Sequence, residues 1–193
     1  MSAAKLVILL TGVPGVGKST VAGMLAERLG GDHIDLSDLA EQMGFITGWD
    51  EKRETAIADI DELRRQVTLI SDASERPVIV EGHFAAEVVI PATEPLIFVL
   101  RRAPWKLKEE LKARGYGEEK VSENVEAELL DVCLVDSLEV QDPERICEVD
   151  TTDRPPEDLV EEILSVVHGD AKCRRGHIDW LGRAESERLL EDG

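Results

Sequence analysis

Apolar residues follow two rhythms along this chain. Short uninterrupted runs read as buried strands: KLVILL at residues 5–10, PVIV at 77–80, PLIFVL at 95–100 and ICEV at 146–149, with a shorter one at 33–36. Between them apolar positions recur at helical spacing. Val21, Leu25 and Leu29 mark a helix over 18–29 that Gly30-Gly31 ends. Ile60, Leu63, Val67 and Ile70 mark one over 59–73, with Asp59 as its N-cap. Further helices are expected over 37–43, capped by Ser37, over 104–113, over 122–140 beginning near Ser122, and over 156–167 after Pro155-Pro156. Residues 44–58, rich in Gly, Thr and charge, read as a loop. Strands alternating with helices, mostly without two-residue periodicity, indicate a parallel sheet covered on both faces. The expected fold is α/β: five parallel strands flanked by helices over residues 1–167, followed by a polar C-terminal extension, 168–193.

Glycine spacing then identifies the first chemistry. Gly12-Val13-Pro14-Gly15-Val16-Gly17-Lys18-Ser19 matches G-x-x-x-x-G-K-[ST] without deviation, with a strand leading in and a helix leading out. In such a P-loop, backbone N–H groups curl round an anion and the helix N-terminus adds its positive end. Lys18 is placed for the β- and γ-phosphates of ATP, Ser19 for Mg²⁺, and Thr20 for the α-phosphate. A glycine turn without ligand would not ask for Lys and Ser at these offsets.

Composition narrows the partners. The 193 residues suit one domain, and 4% aromatic content implies an aliphatic core. The net charge of −19 repels nucleic-acid phosphates, so DNA binding is not expected, and it attracts basic protein; salt adaptation or plain solubility would give the same composition. No apolar run approaches the roughly 20 residues of a membrane span, and no leader pattern opens the chain, so the expected location is cytoplasmic. Cys133, Cys147 and Cys173 lack paired spacing and read as reduced thiols. Cys173 and His177 are two ligands at most, too few for structural zinc.

A P-loop alone does not separate kinases from switches or motors. No N-K-x-D motif reads guanine, the chain is short, and two polar excursions interrupt the pattern at about 35–58 and 113–123. Nucleotide kinases carry a monophosphate-binding arm and a closing lid at those places.

The ordered segments TGVPGVGKST, DLSDLAEQMGF, GWDEKRET, VIVEGHF, VLRRAPWKLKEELKARGYGEEKVSENVEAE and DTTDRPPEDL resemble the adenylate kinase isoenzyme six family over residues 5–166. The resemblance implies nucleoside monophosphate kinase activity with Mg²⁺-ATP, intrinsic ATP hydrolysis, and a role in small ribosomal subunit maturation through a basic ribosomal protein. It implies that Arg114 contacts the nucleotide from the lid and that Arg154, in the loop 151–154, lies along the adenine; that loop reads equally as a simple strand-to-helix turn. Glu81, ending a strand, stands where eukaryotic relatives have Asp and could hold Mg²⁺; Gly82 permits close backbone approach, and His83 could orient a water or a phosphate. Asp35, Ser37, Asp38 and Arg53 are acceptor-binding candidates in the arm, beside Thr47 and Asp59. Arg53 is the candidate for a charge that eukaryotic relatives supply where this chain has Glu41. Arg101 and Arg102 end a strand at the edge where ligands sit in open parallel sheets, although both could simply pair with nearby acids. Two other classes stay open: an ATP-driven assembly factor, and a kinase of a sugar acid or shikimate.

Overall fold

The computed structural model describes residues 5–51, 55–89 and 93–183. In chain order the elements are β1 (Val7–Thr11), α1 (Lys18–Leu29), β2 (Asp32–Asp35), α2 (Leu36–Met43), β3 (Ile46–Asp50), β4 (Thr55–Ala58), α3 (Ile60–Ala73), β5 (Val78–Glu81) and α4 (Ala85–Val88). They continue with β6 (Leu96–Arg101), α5 (Pro104–Ala113), α6 (Glu118–Leu129), α7 (Val132–Val140), β7 (Ile146–Asp150) and α8 (Pro156–Val167). Five strands form a parallel sheet in the order β2-β5-β1-β6-β7, which is the fold class the sequence indicates.

Strand residues divide by parity between two cores. Ile8, Leu10, Ile79, Phe98, Leu100, Cys147 and Val149 pack under α1, α5, α6 and α8. Val7, Leu9, Val78, Val80, Ile97, Val99 and Ile146 pack under α2, α3, α4 and α7. Both faces are dry, so hydrophobicity does not alternate even though side-chain direction does. No described helix is long and apolar enough to cross a membrane.

Four local expectations are corrected. Residues 44–58 contain a two-stranded antiparallel hairpin, β3–β4, with Trp49 opposite Ala56 and Asp50 opposite Thr55. Its apolar residues stay exposed, Trp49 at 60% and Ile57 at 48%, so no burial rhythm betrays it. The cap of α2 is Asp35, whose Oδ1 accepts from the amides of Ser37 (2.8 Å) and Asp38 (3.2 Å). The expected helix 122–140 is two helices that meet at left-handed Asp131 (φ 57°); α6 starts earlier, after Gly117, with Glu118 and Glu119 suiting its dipole. The cysteines are not all reduced: Cys147 and Cys173 form a disulfide, their Cα atoms 5.0 Å apart. After α8 the chain turns back along β7, where Glu148 N donates to Arg174 O, which brings together two residues that sequence spacing gives no reason to pair.

That return also docks the extension. Ile178 and Trp180 are buried, and Trp180 Nε1 donates to Glu128 Oε1 at 2.8 Å. Trp105 meets Trp180 edge-on, and the Arg183 guanidinium lies 4.7 Å from the Trp180 ring.

Candidate active site

The phosphate cradle joins β1 to α1 at the C-terminal edge of the sheet. Gly12 has φ 140°, and a Cβ there would lie 2.5 Å from Leu100 O, so only glycine fits. Gly15 (φ 96°) and Gly17 (φ 98°) also hold positive φ, and Gly17 caps α1 without a side-chain bond. Val16 is buried and anchors the loop to the core. No acid occupies the first turn of α1, and Ser19 and Thr20 are exposed there. Uncapped amides with no competing carboxylate suit an anion.

Lys18 Nζ folds back over the loop and donates to Gly12 O (2.8 Å) and Val13 O (3.1 Å). Burial lowers its pKa, opposed by more distant charges that include Glu81 and Asp35.

Beside the loop, β5 ends in Glu81, which is 2% exposed and faces His33 Nε2 at 3.3 Å. The hydrogen bond to Glu81 raises the pKa of His33. A Cβ on Gly82 would lie 2.9 Å from Leu36 Cδ1, so the close approach that this glycine permits is to α2. His83 is tied through its backbone, its carbonyl accepting from Thr11 Oγ1 at 2.9 Å, and its ring meets Phe84 edge-on at 4.4 Å. Its side chain lines a cavity; desolvation by the atoms around it, then the Lys18 charge, pushes its pKa down to about 4.

Two cavities border the loop. One of about 450 Å³ includes Ser19, His33, Asp35, Asp38 and Glu81 in its lining. The other, about 380 Å³, is bounded by Val13 and Pro14 of the loop, Thr55 of the hairpin, His83, Lys120 and Asn124 of α6, and Cys133 and Asp136 of α7. Burial pushes the Cys133 thiol up to about 11.

The arginines are divided. Arg101 is 1% exposed and donates to Glu128 (2.7 Å), Glu148 (2.8 Å), the Glu128 carbonyl (2.9 Å) and Asp131. The expectation that it binds the acceptor is therefore corrected, because all three of its nitrogens are engaged inside the protein. Arg102 bonds the Thr151 carbonyl at 2.9 Å and pairs with Glu110. Arg154 reaches Asp150 O (3.1 Å) and Glu162 (2.6 Å), tying down the turn before α8. Arg114 caps α5 at its C-terminus, is exposed, and lines neither cavity; residues 113–123 are a helical corner and not an open loop. Arg53 lies outside the described residues. Ser37 is exposed on α2, Thr47 Oγ1 bonds Ile57 O across the hairpin, and Asp59 caps α3. Sequence reasoning missed His33, Asn124, Cys133 and Asp136, because helix packing and strand register, not local pattern, place them at these cavities.

A family model described as an AAA domain matches residues 8–131. The chain is 43% identical to a protein named "Putative adenylate kinase" of Thermococcus kodakarensis over 175 residues, 91% of this chain and 93% of that one. It is 39% identical to a protein of the same name from Methanothermobacter thermautotrophicus, over 91% of this chain and 97% of that one. Among solved structures, a gluconokinase from Sinorhizobium meliloti superposes with TM-score 0.54 at 20% identity, covering 87% of this chain and 94% of that one. A shikimate kinase from Acinetobacter baumannii in complex with shikimate gives TM-score 0.54 at 17% identity, covering 86% and 94%. At such identities these structures share the fold, that of P-loop kinases, and nothing finer.

Proposed function

The chain belongs to the family of archaeal proteins named "Putative adenylate kinase", and on that premise we propose that it transfers the γ-phosphoryl group of ATP to a nucleoside monophosphate. The observation that carries this reading is the second cavity. It sets Val13 and Pro14 of the phosphate loop against hairpin, His83 and α6 residues, a space where an acceptor could meet the phosphate held by the loop.

Phosphoryl transfer is mainly positioning and charge neutralisation. The bond from the γ-phosphorus to its bridging oxygen breaks as one to an acceptor phosphate oxygen forms. That oxygen is already ionised at neutral pH, so transfer needs no general base. Lys18 is the cation for the migrating group once it exchanges two carbonyls for phosphate oxygens, and Arg114 and Lys120 are the cations nearest the corner that would close.

Ser19 and Glu81 line one cavity, which fits a Mg²⁺ that enters with the nucleotide. Among the described residues no group of three or more His, Cys, Asp or Glu forms a closed cage. Mg²⁺ needs none, since it keeps waters and substrate phosphates and takes one or two protein ligands. When bound, the ion neutralises charge on the phosphates.

Intrinsic hydrolysis is the companion activity. Water must be held and must lose a proton, and the neutral imidazole of His83 lines the second cavity, beside Val13 and Pro14 of the phosphate loop. The charge of −19 and the exposed Trp49 and Ile57 favour a second reading, in which a basic ribosomal protein docks over the hairpin and competes with AMP. Pull-down at two salt concentrations, with and without AMP, checks it; binding that ignores AMP contradicts competition.

An acceptor screen with radiolabelled ATP tests the leading reading. Labelled nucleoside diphosphate is expected with AMP or another nucleoside monophosphate. Labelled shikimate or gluconate phosphate in its place would overturn it.

A further inference from the structure

Glu81 is almost wholly enclosed, and among the described residues its one side-chain partner is His33, Nε2 to Oε1 at 3.3 Å. An enclosed carboxylate is costly unless it is partnered. Parallel register places His33 beside Ile79 and Asp35 beside Glu81, so the imidazole reaches diagonally along the sheet to the strand-end carboxylate. Residue 33 is on an edge strand and its side chain is 30% exposed, so packing alone does not ask for an imidazole there. No described donor reaches Glu81 Oε2, and Glu81, His33 and Ser19 line the same cavity.

We propose that His33 is a positioning residue: its Nε2–H donates to Glu81 Oε1, fixes the carboxylate, and leaves Oε2 for the divalent cation that accompanies the nucleotide. The inference rests on the reading of Glu81 as the metal-side carboxylate. Partners that hydrogen-bond a ligating group set its orientation, and their loss typically weakens metal binding roughly 10–100-fold. A purely structural His33 would stabilise the fold and leave metal affinity alone.

The test uses Mn²⁺ as a spin probe, titrated into the full-length protein with saturating ADP and followed by electron paramagnetic resonance. His33→Leu keeps the bulk and loses the donor; it is expected to raise the Mn²⁺ Kd about tenfold. His33→Gln keeps an N–H donor at similar reach and is expected to stay within about twofold of the parent. Wild-type affinity in His33→Leu, or equal weakening by Leu and Gln, overturns the positioning role, provided Glu81→Gln does lose affinity. Unchanged affinity in Glu81→Gln overturns the metal assignment beneath it, and the proposal with it.

Discussion

Arg101 Nε donates to Glu128 Oε1 at 2.7 Å where both side chains are 2% exposed, so this arginine holds β6 to α6 in the core. Glu148 and Asp131 complete the cage, and Trp180 of the C-terminal extension bonds the same Glu128 oxygen. Removing the cation strands buried carboxylates, which typically costs about 3–5 kcal/mol. Arg101→Leu is therefore expected to lower the urea midpoint sharply, with the KM for the acceptor little changed in whatever protein remains folded. Unaltered stability with a raised acceptor KM would place Arg101 at the substrate instead.

Arg114→Ala should lower kcat and leave ATP binding nearly intact. The residue is exposed and lines neither cavity, so the proposed contact with the nucleotide would form only in a closed state, where it would act on charge developing during transfer. Loss of one such donor is worth about 3 kcal/mol, or roughly a hundredfold in kcat. Steady-state kinetics decide the point, and an unchanged kcat removes Arg114 from the mechanism.

The fold was legible where local pattern and tertiary demand agree. The helix over 156–167 stands where Pro155-Pro156 puts it, that over 104–113 lies as expected, and the phosphate loop follows from backbone geometry that its own residues encode. The hairpin was not legible, because Trp49 and Ile57 point to solvent and leave no rhythm of burial. The role of Arg101 is hidden in the sequence for a related reason. Its partners Glu128 and Glu148 lie 27 and 47 residues away, and only the sheet order and the course of α6 bring them together. The pairing of Cys147 with Cys173 likewise depends on the chain doubling back after α8.

His83→Ala is expected to depress ATP hydrolysis more than transfer to AMP, since only hydrolysis must activate a water. With the folded pKa pushed to about 4 from 6.5, the unfolded chain takes up the proton first. The contribution of this residue to stability is therefore intact above about pH 6.5 and is lost as pH falls toward 4. An NMR titration of the His83 ring, in the nucleotide-free protein, should show it neutral at pH 5.5. A ring half-protonated near pH 6.5, or equal losses in the two reactions, would contradict this role.

Thiol chemistry should separate the three cysteines. Cys133, its pKa pushed up to about 11, should be about 0.1% thiolate at pH 8, against roughly a quarter for an ordinary thiol. Alkylation of the native protein should be slower than that of the unfolded chain by about two orders of magnitude. Denaturation without reductant should expose one reactive thiol, and reduction should reveal the other two. Three thiols before reduction would contradict the disulfide.

The most direct test follows the γ-phosphate of labelled ATP, with and without AMP, in the wild-type protein and in Lys18→Ala. The account predicts that AMP diverts label into the β-phosphate of ADP faster than it appears as inorganic phosphate. It also predicts that Lys18→Ala abolishes both products while its thermal unfolding stays close to wild type, because among the described residues the lysine hydrogen-bonds only the loop carbonyls of Gly12 and Val13. Label released only as inorganic phosphate, at a rate indifferent to AMP, would contradict phosphoryl transfer as the activity of this site.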